Sequence, residues 1–292
     1  MPDELRSPAA VAPLIELSAV SKSWPGRDGR PVTTLESTGL AIRPGEFVCL
    51  CGPSGCGKTT LLNLIAGLEF PTAGEVRVRG QRVTGAAPDR TVMFQEAALF
   101  PWLTVYRNVE FPLEMAGVAP GDRRARVERY LRMVHLWRYR DSHPHELSGG
   151  MRQRVAMARA LAGDPSILLM DEPFAALDAQ TRGVLHEELE RIWLETGKTV
   201  VFVTHNVREA VRLGDRVVIM ATRPGRVKRE LPVSLARPRD GNDRDVASLA
   251  GVVERELKIE IEKVIREELD DAWTPAGNGL PRDSHRGMGD GI

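Results

Sequence analysis

At 292 residues the chain can form one large domain or two smaller ones, and 42% apolar residues supply a sizeable core. Lys plus Arg and Asp plus Glu each number 40, so no basic excess draws in nucleic acid, and the longest apolar runs, FVCLC and TVVFV, fall far short of the roughly 20 residues of a membrane-spanning helix. The opening MPDELRSPAAVAPL lacks the basic-then-apolar layout of a secretory signal, and Cys49, Cys51 and Cys56 are spread as reduced thiols, with too few ligands for a metal; a cytoplasmic protein is expected.

In chain order, LIELSAVSKSW (Leu14 to Trp24) alternates as a strand, and GEVRVRGQRV (Gly74 to Val83) reads as a hairpin arm, so antiparallel pieces are expected early. FVCLC, TVMF, SILLMD, TVVFVTH and RVVIM are apolar on both faces, as in a parallel sheet covered by helices. Between Gln95 and Gly163 helical periodicity takes over, as in DRRARVERYLRMVHLW, where Val127, Tyr130, Leu131 and Val134 share a face. Its other face carries Arg123, Arg124, Arg126, Arg129 and Arg132, expected to be a solvated surface, with lipid headgroups or RNA as the alternative. After Pro232 comes a polar linker, then VVERELKIEIEKVIREEL, whose Val253, Leu257, Ile261 and Val264 form a stripe expected to dock. The Gly/Pro/Asp-rich tail from about Thr274 is expected to be disordered.

Gly52, Gly57, Lys58 and Thr59 complete G-x-x-x-x-G-K-[ST] between the strand FVCLC and the helical TTLLNLIAGL. Glycines let the loop from Gly52 through Pro53, Ser54, Gly55, Cys56 and Gly57 bend until several N–H groups converge on one anion, and the helix adds its positive end. Lys58 would then meet the β- and γ-phosphates, with Thr59 and Thr60 following it into the helix and the Thr59 hydroxyl available to Mg²⁺. The expected ligand is a nucleoside triphosphate. ILLMDEP ends an apolar strand in Asp171, placed for the Mg²⁺ shell, and in Glu172, placed to deprotonate a water attacking the γ-phosphate. A second helix start, ELSGGMRQRVAMARAL, offers another Ser-Gly-Gly turn suited to an anion.

With GPSGCGKTT, LSGGM and LLMDEP in this order, residues 14 to 230 resemble the ATP-binding subunits of ABC transporters. The resemblance implies an α/β P-loop NTPase core, mostly parallel with helices on both faces, an antiparallel β subdomain and an inserted helical subdomain at about 96 to 163. Together with the C-terminal pattern read above, this gives an expected ATPase domain at 14–232, a linker and helix at 233–273, and a tail at 274–292. It implies that Trp24 stacks on adenine, that Gln95 lies between ATP, its metal and the membrane subunits, and that His205 contacts the γ-phosphate. It further implies that Ser148, Gly149 and Gly150, with Asp178, serve the ATP of an opposed second subunit. Thr59, Asp171 and Gln95 are thus the expected metal set, and Glu172, His205 and Gln95 the catalytic one. Met151 departs from the glutamine common at the fifth signature position.

LFPWLTVYRNV, PHELSGGMRQRVAMARAL and DRVVIMATRPGRV look most like the importers for nitrate, sulfonates, taurine and related solutes. That implies a homodimer on the cytoplasmic face of the membrane, bound to transmembrane permease subunits, served indirectly by a solute-binding protein and without nucleic acid. The alternatives are a soluble ABC-type ATPase in translation or DNA repair, which tends to carry two ATPase halves or a long coiled-coil insert, and a P-loop kinase, which has no need of LSGGM.

Overall fold

All five residues of Phe47–Cys51 are buried, as are all five of Thr199–Val203, so neither run has a face for water and both require cover on each side. The computed structural model, which describes residues 12–26, 29–241 and 243–272, places them side by side in a sheet. The chain opens with β1 (Ile15–Pro25), β2 (Pro31–Ile42), β3 (Phe47–Cys51), α1 (Lys58–Ala66), β4 (Ala73–Val78), β5 (Gln81–Arg82) and β6 (Arg90–Met93). A helical insert follows, with α2 (Val105–Met115), α3 (Pro120–Met133), two short 3-10 turns and α4 (Gly149–Ala162). Next come β7 (Ile167–Asp171), α5 (Ala179–Thr196), β8 (Thr199–Val203), α6 (Val207–Leu213), β9 (Arg216–Ala221), β10 (Arg226–Pro232) and α7 (Arg244–Ala272).

Two sheets form: a four-stranded antiparallel one, β2-β1-β4-β5, and a six-stranded one, β10-β9-β3-β8-β7-β6, parallel except for β10 at its edge. Because strand side chains alternate, β3 serves two cores. Phe47, Cys49 and Cys51 join the core shared with the helical insert, α5 and α6, while Val48 and Leu50 face α1 and the antiparallel sheet. The three thiols are free and buried, and burial pushes Cys51 up to about 12. Small interior packing is thus their role here.

The insert buries Val127, Tyr130, Leu131 and Val134 as their spacing predicts. Its arginines are not uniformly solvated, however. Arg123 is largely covered and lies 3.5 Å from Glu114 and 3.9 Å from Glu110 on α2, whereas Arg124, Arg126, Arg129 and Arg132 are exposed. The stripe of α7 docks through Val246, Ala250, Val253 and Leu257, and Lys228 and Arg229 of β10 pin it by ion pairs to Glu256 and Glu260. Ile261, expected in the docked stripe, is 45% exposed. The tail at 274–292 lies outside the described residues. Among the described residues no helix is long and apolar enough to cross a membrane.

Candidate active site

β3 feeds the glycine loop directly, and the loop's geometry follows from its glycines. Gly55 and Gly57 have φ of 77° and 90°, a region that side chains disfavour, and a Cβ on Gly57 would also stand 2.6 Å from Leu35 Cδ2. Gly57 caps α1 without any side-chain acceptor, so the first N–H groups of that helix remain for an anion. Lys58 is buried, and its Nζ donates to the carbonyls of Gly52 at 2.8 Å and Pro53 at 3.0 Å. Burial raises the Cys56 thiol, opposed by the charge of Lys58, whose Nζ lies 3.7 Å from Sγ.

At the end of β7, Asp171 accepts a side-chain hydrogen bond from Thr59. Burial holds its carboxyl above the ordinary value, Glu172 adds to the shift, and Thr59 and Lys58 oppose it. A hydroxyl and one carboxylate are hard oxygen donors, the set that suits Mg²⁺ bound mainly through phosphates and water. Among the described residues no cluster of three or more His, Cys, Asp or Glu side chains could hold a metal ion. Thr59 and Asp171 fit an ion whose other ligands are supplied from outside the chain.

Glu172 follows with φ of 46°, and its N–H is tied to the Val203 carbonyl at 3.0 Å. Its Oε2 lies 3.1 Å from His205 Nδ1. Both residues line a cavity of about 550 Å³ together with Gly52, Pro53, Ser54, Lys58 and Arg223, and Leu257, Ile261, Val264 and Ile265 of α7 form an apolar wall. Arg223 and this wall were not read from the sequence. The apolar spacing of α7 marks its sticky face but not what that face meets.

The remaining sequence candidates lie elsewhere. Ser148 caps α4, its Oγ accepting from Met151 N–H at 3.3 Å, and Met151 is partly buried against the core. A Cβ on Gly150 would stand 2.5 Å from Thr181 Cγ2, and Thr181 is in turn held by Asp178, through its N–H at 2.9 Å and its hydroxyl at 2.8 Å. The Ser148 turn and the Asp178 turn thus make one surface, and neither lines the cavity. Gln95 is exposed just past β6 and does not line it either; its carbonyl accepts from Gln153 of α4 at 2.7 Å. Trp24, next to last in β1, is 38% exposed, with Lys22 Nζ 4.1 Å from its ring centre.

Residues 35–175 match the family model described as ABC transporter. Over 221 residues the chain is 47% identical to the nitrate import ATP-binding protein of Synechocystis sp., a match covering 76% of this chain and 83% of that protein. The chain belongs to the ABC transporter ATP-binding family. A taurine import ATP-binding protein of Roseobacter denitrificans is 46% identical over 209 residues, covering 72% of this ABC protein and 78% of that one. Among solved structures, a dimeric post-hydrolysis state of an ATP-binding cassette bound to ADP and Pi superposes with a TM-score of 0.68 at 36% identity, over 76% of this chain and 100% of that one. The stretch of this ABC ATPase matched by the family model contains the glycine loop, the second Ser-Gly-Gly turn and the Asp171–Glu172 strand end.

Proposed function

We propose that this ABC ATPase is the energy-coupling subunit of an importer for a small solute such as nitrate, a sulfonate or taurine, working as a pair on the cytoplasmic face of a membrane complex. The observation that carries this reading is the separation within one chain of the Lys58–Glu172–His205 cavity from the Ser148–Asp178 surface. Two copies placed head to tail bring the Ser148 turn of each to the phosphates held by the other. The dimeric neighbour bound to ADP and Pi supports that arrangement.

In each site the loop N–H groups and Lys58 hold the phosphates, and Trp24 offers an indole face to adenine. Thr59 and Asp171 would hold Mg²⁺, which neutralises phosphate charge when bound, with Gln95 as a third, movable ligand. Glu172 takes a proton from water as the water oxygen bonds to the γ-phosphorus, and the bond from that phosphorus to the ADP oxygen breaks. His205 keeps the Glu172 carboxylate oriented at 3.1 Å. The bond from Gln153 to the Gln95 carbonyl ties the loop beside the γ-phosphate to α4, a route by which phosphate release moves the helical insert.

The permease would meet the insert. Phe94, Trp102 and Met115 are exposed there, and a cleft of about 330 Å³ opens among Phe94, Phe100, Phe111, Pro112 and Arg159. Such an apolar patch on a charged protein fits a protein partner. A solute-binding protein then acts only through the permease. Purification of the tagged chain from membranes, with identification of the companion chains and uptake assays with nitrate and taurine, tests this reading. Permease chains should co-purify, and Trp102→Glu should reduce their recovery; a chain recovered without any membrane partner would overturn the importer assignment.

A further inference from the structure

His205 is itself weakly held: its side chain is 63% exposed and reaches Glu172 across a single contact. Its position therefore depends on the turn that carries it, between β8 and α6. That turn is braced from behind by a buried polar chain. Thr204, 2% exposed, donates its hydroxyl to Glu209 Oε2 and accepts from the Asn206 N–H at 2.9 Å. Asn206 caps α6 by accepting from the Glu209 N–H at 3.2 Å. The other carboxylate oxygen of Glu209, Oε1, is bonded to Nε2 of His186 on α5. Both side chains are almost fully buried, and the His186 ring packs 5.6 Å from that of Phe174.

A buried carboxylate loses its hydration, which only well-placed donors offset. Here the donors come from the β8–α6 turn and from α5, and the carboxylate of α6 joins the two. α6 begins beside His205, and α5 begins at Asp178 on the surface offered to the second copy. We propose that Glu209, anchored by His186, is a positioning residue for ATP hydrolysis. It fixes the backbone at Thr204 to Asn206 so that His205 stays within reach of Glu172, and it locks that turn to the helix of the Asp178 loop. The inference rests on the hydrolytic roles proposed for Glu172 and His205.

The decisive experiment measures steady-state MgATP hydrolysis and ATP affinity for the full-length chain and six variants: Glu209→Ala, Glu209→Gln, Thr204→Val, His186→Gln, His205→Ala and the double variant Glu209→Ala/Thr204→Val. Misplacing a catalytic group by an ångström costs up to about 100-fold in rate, so Glu209→Ala should lower kcat by roughly 10-fold or more with KM within about 2-fold. Glu209→Gln and His186→Gln keep a hydrogen-bonding partner in place and should restore kcat to within about 3-fold of the parent. Glu209 acts through the Thr204 hydroxyl, so the double variant Glu209→Ala/Thr204→Val should be no slower than its slower parent; fully multiplied losses would overturn the route. Should Glu209→Ala fail to fold, Thr204→Val carries the same expectation, and parental kcat in that folded variant overturns the proposal. Loss of turnover in His205→Ala with parental turnover in Glu209→Ala overturns the brace alone. Parental turnover in His205→Ala overturns the role of His205 and, with it, the brace.

Discussion

Glu172 lines the cavity from a backbone φ of 46°, a conformation that costs a non-glycine residue of order 1 kcal/mol and persists where the surrounding structure holds it, as the bond from its N–H to the Val203 carbonyl does here. Glu172→Gln preserves shape and polarity but is a poor base, so turnover should fall by about 100-fold or more while ATP still binds, and an ATP-bound dimer should accumulate on size exclusion. Asp171 makes a second prediction through its titration. Burial raises its carboxyl in the folded chain, so the folded state keeps a proton that the unfolded chain loses above the ordinary value of 3.8, and stability falls as pH rises from there through the raised value. Asp171→Asn should accordingly raise the melting midpoint of the nucleotide-free protein at neutral pH, change it little near pH 4, and abolish further stabilisation by Mg²⁺ with ATP. At this scale the sequence was informative wherever chemistry is written as spacing. Gly52 to Thr59 and Asp171–Glu172 could be read directly because loop and strand end bring consecutive residues to one place. Arg223, Ile261 and the His186–Glu209 pair could not, because each depends on a neighbour supplied by another element.

Among elements, the contact between α4 and α5 is set by one missing methyl group. Gly150 lies so close to Thr181 that a Cβ would stand 2.5 Å from Cγ2, and Thr181 also holds the Asp178 carboxylate through its hydroxyl at 2.8 Å. Gly150→Ala should therefore separate the two turns, lowering stability by about 1–3 kcal/mol and ATP turnover with it. Thr181→Ser removes the obstructing methyl but keeps the hydroxyl. The Gly150→Ala/Thr181→Ser double variant should thus recover both the melting midpoint and activity, and a double variant no better than Gly150→Ala would show that the contact is not limiting. The buried parallel strands were legible because a strand covered on both faces is apolar throughout. β2 and β10 were not, because β2 mixes Thr, Glu and Ser with its buried positions and β10 is an edge strand of Arg, Lys and Glu whose identity comes from pairing with β9. The solvated-arginine expectation failed at Arg123 for a related reason: the carboxylates that cover it belong to α2.

For the whole molecule, the proposed head-to-tail arrangement would have Lys58 and Ser148 of one chain serve different nucleotides. Lys58→Ala weakens phosphate binding and Ser148→Arg puts bulk where the γ-phosphate must approach, so each homodimer has two damaged sites. A heterodimer of the two gathers both lesions into one site and leaves the other intact. ATP-driven closure, read by distance probes on the two chains, should reappear in the mixture, and verified heterodimers that close no better than either homodimer would favour a single-chain phosphate site. The sheet order carries a consequence for synthesis. β3, which delivers the glycine loop, is made early but lies between β8 and β9, pairing Val48 with Val201 on one side and Cys49 with Val217 on the other. A ribosome must therefore reach Thr199 before the first neighbour of β3 exists and Ala221 before the second. Until then FVCLC has no sheet to enter, and non-local parallel pairing is slow to form. Nascent chains arrested with Thr199 still inside the exit tunnel should leave a photoreactive ATP analogue uncaptured and engage chaperones through this segment. Chains arrested with Ala221 well clear of the tunnel should label, so that nucleotide capture serves as a checkpoint on completed synthesis of the core.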